Sequence, residues 1–163
     1  MKNALRILAV LTLMALLISG CAATVEDKEF SCQELTMTVP GYMTDKSDDA
    51  DFANFTFALD SYKIAIFGIR EDHSLFEGTD INNLDIYTET LIQVSNLDCA
   101  FETREGKDYL YFTYTAENAG TTYAYVCGTF MTDEAFWMVQ VASEEDKFDE
   151  AEFLAILDTV MFP

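Results

Sequence analysis

The stretch from residue 99 to residue 142 leaves this chain little choice of fold. Four segments, CAFETRE (99–105), YLYFTYTA (109–116), TTYAYVCGTFM (121–131) and AFWMVQVA (135–142), are rich in aromatic and β-branched residues. Short turn signals separate them: Gly106-Lys107, Asn118 to Gly120, and Asp133-Glu134. Strands joined by such tight turns run antiparallel. The spacing predicts a four-strand meander.

Counting across those turns predicts a register. With Asn118 to Gly120 as a three-residue loop, Phe112 faces Val126 and Leu110 faces Gly128. With Gly106-Lys107 as a two-residue loop, Phe101 faces Phe112 and Cys99 faces Tyr114. One face then carries Cys99, Phe101, Leu110, Phe112, Tyr114, Val126, Phe130, Trp137 and Val139. The other carries Tyr109, Tyr111, Tyr123, Tyr125, Cys127, Phe136 and Met138. A sheet wetted on one side shows a clean polar face. Both faces here are apolar or aromatic, so both need cover.

The rest of the chain supplies more strands and the cover. LTMTV (35–39) alternates as a strand does, and Pro40-Gly41 ends it. FANFTFALD and YKIAIFGI predict a hairpin with strands at 52–59 and 62–69. A helix is expected over 82–94, capped by Thr79 or Asp80, with Leu84, Tyr87, Leu91 and Val94 on one face. A second is expected after Ser143, which with Asp146 makes a capping-box-like start. Its apolar stripe is Phe153, Leu154, Leu157 and Val160. The expected fold class is α+β: an antiparallel sheet of about six or seven strands flanked by helices.

The N-terminal segment is of a different kind. Lys2 and Arg6 precede the run ILAVLTLMALLI (7–18), apolar except for Thr12. A transmembrane helix needs about 20 such residues, so 12 are too few. A basic start, a short apolar run and a small-residue exit make a secretory signal. The exit Ile18-Ser19-Gly20-Cys21 resembles the lipobox of bacterial lipoproteins. That resemblance implies cleavage between Gly20 and Cys21, and diacylglycerol on the Cys21 thiol. The expected organisation is a signal peptide at 1–20, a lipidated tether at 21–30 and one α+β domain at 31–163. Residues 22–29 reach at most about 28 Å when extended, which keeps the domain near the bilayer.

Charge and cysteine usage narrow the partners. All 29 acidic residues and seven of the nine Lys and Arg lie beyond residue 20, so that part carries a formal charge of −22. Nucleic acid is excluded as a partner, because its binding rests on neutralising phosphates. A second, electrostatic contact with anionic lipid is disfavoured for the same reason. Apart from Cys21 the cysteines are Cys32, Cys99 and Cys127, at spacings that fit no zinc or CxxC pattern. The register above puts Cys99 and Cys127 on opposite faces, so no disulfide is expected between them.

Two stretches, LTMTVPGYM and EFLAILDTVMF, together with the order of elements, resemble the PsbP-like superfamily. Its members include photosystem extrinsic proteins and a Ran-binding nuclear-import factor, and bacterial lipoproteins with this domain look similar. The resemblance covers about residues 32–162. It implies an antiparallel sheet between helices and a role in binding or assembly rather than catalysis. It carries no binding residue over to this chain.

The residues that could carry a reaction point the same way. His73 is the one histidine, and no GxSxG, P-loop or GxGxxG motif is present. Nothing in the sequence around the three remaining cysteines would lower a thiol pKa. No enzyme, cofactor or metal centre is expected. Asp45, Asp48, Asp49 and Asp51 cluster in one loop, a candidate for Ca²⁺ or simply a solvated acidic turn. Tyr109, Tyr111, Tyr123 and Tyr125 form an aromatic face. Under a helix they are core with hydroxyls at the rim; uncovered, they are a binding face. The covered arrangement is favoured, since large exposed aromatic patches are rare. The expected protein is a lipid-anchored extracytoplasmic lipoprotein of the cell membrane that binds or assembles with a protein partner. The alternative is a small-ligand or cation-binding protein.

Overall fold

The computed structural model describes residues 25–49, 51–59 and 63–163. The fold is α+β, as the sequence predicts. Two sheets carry the strands: a hairpin of β1 (Lys28–Cys32) and β2 (Leu35–Val39), and a seven-stranded antiparallel sheet. The large sheet contains β3 (Thr44–Asp45), β4 (Phe55–Leu59), β5 (Ile64–Asp72), β6 (Glu102–Thr103), β7 (Leu110–Asn118), β8 (Thr121–Met131) and β9 (Ala135–Glu144). Its strand order is β3-β4-β5-β9-β8-β7-β6. Two α-helices are described, α1 (Leu84–Val94) and α2 (Glu150–Leu157).

The meander forms, but its register differs from the expected one. Phe112 pairs with Cys127 and Leu110 with Thr129. The β7–β8 turn has two residues, Ala119 and Gly120, both at positive φ, and Asn118 pairs with Thr121. A turn one residue shorter slips the pairing by one and exchanges the faces of one strand against the other. Tyr109 and Tyr111 therefore share a face with Val126, Phe130 and Trp137. Tyr123 and Tyr125 share the opposite face with Phe112, Tyr114 and Met138. Cys99 and Cys127, expected on opposite faces, lie in one apolar cluster around Phe112.

Each face has its own cover. The hairpin β1–β2 and α2 cover one: Leu35, Met37, Val39, Phe153, Leu154 and Leu157 join Val126, Trp137, Val139 and Val141 in the main core. The chain end ties down this layer, because Thr36 and Met161 exchange both backbone hydrogen bonds, at 2.9 and 2.8 Å. Helix α1 covers part of the other face. Its Tyr87 stacks on Phe136 with centroids 4.3 Å apart, and its Ile92 packs with Phe112 and Cys127.

Several local expectations are corrected. Lys28–Phe30, assigned to the tether, are strand β1, and the Asp27 carboxylate already accepts from Gly41 N at 3.1 Å. The strand expected over 99–105 is only Glu102–Thr103, and the turn after it runs from Arg104 to Tyr109. Asn83, not Thr79 or Asp80, caps α1, accepting from Ile86 N at 3.0 Å. Helix α1 buries Tyr87, Thr88 and Ile92, whereas Val94 is 74% exposed. Ser143 starts no helix. It is buried within β9, and α2 begins later, capped by Asp149, which accepts from Glu152 N.

Candidate binding surfaces

Gly20 and Cys21, the predicted cleavage and lipidation site, lie outside the described residues. No helix among the described residues is long and apolar enough to cross a membrane.

The acidic loop is organised around itself. Asp45 accepts from the Ser47 hydroxyl at 2.6 Å and from Ser47 N at 2.9 Å. Asp48 and Asp49 sit in a short 3-10 turn, with Asp49 3.5 Å from the Lys46 ammonium. Among the described residues no group of three or more acidic, histidine or cysteine side chains gathers to hold a metal ion. Asp45, Asp48, Asp49 and Asp51 therefore do not converge as a Ca²⁺ site requires.

The four tyrosines do not form one face. Tyr109 is buried, packs on Phe130 at 4.8 Å, and donates its hydroxyl to Asp158 at 2.8 Å. Burial raises its pKa well above the ordinary value, and the Asp158 carboxylate adds to this. Tyr111 donates to Glu102 at 2.9 Å on the same side. On the α1 side Tyr125 is half-buried and stacks on Tyr114, centroids 4.6 Å apart and planes parallel within 1°. Tyr114 donates in turn to Gln140 at 3.2 Å.

Two charged clusters escape sequence reasoning because their members are far apart in the chain. Asp158, the C-cap residue of α2, takes the Arg104 guanidinium at 3.1 and 2.7 Å as well as the Tyr109 hydroxyl. The Arg104 hydrogen bonds hold the Asp158 carboxyl below its usual range against the opposing effect of burial. Beside this cluster, a pocket of about 600 Å³ opens between the 104–109 turn and the C-terminal tail, with Phe130, Val160 and Phe162 as apolar walls. On the opposite side of the tail, Glu34 accepts from Arg70 Nε at 2.8 Å and from Trp137 Nε1 at 2.9 Å. Burial alone would raise the Glu34 carboxyl, but these two donors outweigh it and hold it low. Arg70 also pairs with Asp72 and reaches Glu134 at 3.5 Å.

The thiols and the histidine are placed for packing. Cys32, Cys99 and Cys127 are free, and burial raises the pKa of each, with Cys127 fully buried. The His73 ring lies 4.6 Å from Phe136, and its Nε2 is buried with no hydrogen-bond partner among the described residues.

The open flank of β7 forms another groove. Leu97 and Asp98 stand on one side, Glu145 and Phe148 on the other, and Thr113 to Thr115 with Ala124 of β8 make the floor of a space of about 470 Å³.

No protein-family model matches the chain, and no curated protein matches it. Among solved structures it is similar to a Bacteroides thetaiotaomicron protein determined at 1.50 Å resolution, with a TM-score of 0.56 at 12% sequence identity. The similarity covers 86% of this chain and 49% of that one, so this chain spans about half the length of its structural neighbour. At that identity the likeness concerns the fold alone.

Proposed function

We propose that this chain is an extracytoplasmic lipoprotein, lipidated at Cys21, whose folded domain binds or assembles with a partner at the membrane surface. One observation supports it most. Asp27 follows Cys21 by only six positions, and its carboxylate already accepts from Gly41 N. Six residues span at most about 21 Å. A lipid on Cys21 would therefore keep the Pro40–Tyr42 end of the domain against the bilayer. Asp27 and Glu152 sit at that end, so anionic lipid would repel it and retention would rest on the acyl chains.

Binding suits the side chains better than catalysis does. A nucleophilic cysteine needs a lowered pKa, and all three described thiols are raised. The imidazole of His73 packs on Phe136 rather than beside a nucleophile. A second reading, a small-ligand protein, has the pocket beside Phe162 in its favour, because about 600 Å³ is within the range of ligand sites.

The test is intact mass of the protein from the membrane fraction, beside a Cys21→Ala variant. A lipid-sized increment on the wild type, lost in the variant, is expected. Unmodified protein in the medium would overturn the reading.

A further inference from the structure

Strand β7 lies second from the edge of the sheet, but the edge strand beside it is very short. β6 pairs only with Leu110 and Tyr111. Upstream of Glu102 the chain leaves the sheet: Cys99 and Phe101 pack in the cluster with Phe112 and Tyr114. Residues 98–101 make no backbone hydrogen bond to β7. Seven residues of β7, Phe112–Asn118, therefore run on with no strand on their outer side.

The direction of each backbone group follows from the ladder. In antiparallel pairs, successive residues of a strand point their N–H and C=O alternately to either side. Arg104 N donates to Tyr109 O at 3.3 Å, so the groups of Tyr109 face the β6 side. The alternation carries that direction to Tyr111, Thr113, Thr115 and Glu117, while Phe112, Tyr114, Ala116 and Asn118 bond to β8. The two-residue turn agrees, because such a turn is closed by a hydrogen-bonded pair, here Asn118 and Thr121. Thr113, Thr115 and Glu117 thus present their N–H and C=O groups outward, with no partner among the described residues.

Such an edge is a template for another chain, and proteins usually blunt it with lysine, proline or a bulge. The segment TYTAEN (113–118) has no lysine or proline and pairs with β8 residue for residue without a bulge. The groove of Leu97, Asp98, Glu145 and Phe148 flanks it on both sides. Its charged residues, Asp98 and Glu145, are both acidic, and Glu117 adds a third carboxylate on the edge itself.

We propose that the outer edge of β7, Thr113–Asn118, takes an extended basic segment of a partner protein as an added strand. The backbone ladder supplies affinity. Asp98, Glu117 and Glu145 select lysine or arginine side chains on that segment. A second copy of this chain is disfavoured as occupant, because two such edges would bring these carboxylates onto their counterparts in a chain already at −20. The inference rests on reading the domain as a binding module, and not on the lipid.

The experiment uses the full chain in a neutral detergent, so loss of the lipid would not affect it. The probe is a blocked octapeptide alternating Lys and Val. The controls are an alternating Glu-Val octapeptide and the Lys-Val octapeptide N-methylated at every amide; the latter keeps the charge but has no N–H to offer on either edge. Amide exchange is followed at Thr113, Thr115 and Glu117. Fast exchange in the free chain, slowed about tenfold or more by Lys-Val alone, is the expected result. Thr115→Pro should weaken binding about tenfold while leaving β7–β8 paired, since only an outward N–H is lost. Should that variant fail to fold, Asp98→Lys with Glu145→Lys decides, and unchanged affinity there would overturn the proposal. Amides already slow in the free chain, equal protection by either control, or a dimer in sedimentation that Thr115→Pro dissolves would each overturn it too.

Discussion

The ring of Phe55 occupies the space that a side chain on Gly68 would need. The two residues are register partners in β4 and β5, and a Cβ on Gly68 would fall 2.2 Å from Cε1 of Phe55. The glycine is there for room, since the ring packs over its backbone between Phe30 and Trp137. Gly68→Ala should cost about 1–3 kcal/mol, as overpacking in a dense core does. Adding Phe55→Leu should return part of that loss. Urea unfolding of the two single variants and the double variant measures the coupling, which should be non-additive.

Thr88 and Thr129 join α1 to the sheet through hydroxyls 2.7 Å apart, both side chains fully buried. Thr88→Val leaves Thr129 with only the long 3.3 Å contact to Leu110 O. The expected loss is about 1–3 kcal/mol, the cost of leaving a buried polar group poorly satisfied. The double variant Thr88→Val/Thr129→Val should lose less than the two single losses combined. Thermal unfolding of all three checks this.

The Asp158 cluster should make stability depend on acid pH. Arg104 holds the folded pKa of Asp158 below its ordinary value of 3.8. The contribution is therefore complete above the unfolded pKa and disappears as the pH falls through the folded one. Between pH 5 and pH 2, Asp158→Asn should lose less stability than the wild type, having lost this contribution already at neutral pH. Urea midpoints across that range measure the difference.

Within that cluster the Tyr109 hydroxyl is a smaller part. Tyr109→Phe keeps the ring on Phe130 and the Arg104 pair, and removes one hydrogen bond. It should cost about 1 kcal/mol, or roughly 2–4 °C in Tm.

Thiol chemistry gives a further check. Burial raises the pKa of Cys32, Cys99 and Cys127, so iodoacetamide at pH 8 should modify them slowly in the native protein, with fully buried Cys127 the last. In urea all three should react together. Mass spectrometry of timed digests follows each site. Fast native labelling of Cys127 would contradict its placement under Ile92 and Phe112.

Much of the fold was legible from residue pattern alone. Period-two alternation announced β2, the β4–β5 hairpin and the meander, because a strand sends successive side chains to opposite faces wherever it ends up. The dual cover was legible too, since neither face of the meander is polar. Strand β1 was not. Its turn, Gln33-Glu34, lacks glycine, yet Gln33 takes a φ of 53°, so no turn signal marked the hairpin.

What tertiary structure alone decided was the register, and with it the candidate surfaces. Ala119 adopts positive φ, which an alanine rarely does, and so the β7–β8 turn closes on two residues instead of three. That one-residue slip put Tyr109 and Tyr111 on one face and Tyr123 and Tyr125 on the other. The open edge of β7 was hidden for a related reason. CAFETRE has the composition of a full strand, but Cys99 and Phe101 are drawn into the cluster with Phe112, leaving two residues to pair. Sequence determined most of the strand segments, where the charge lies and which motif precedes Cys21. Packing decided which side chains meet, because a contact between distant residues depends on every turn between them.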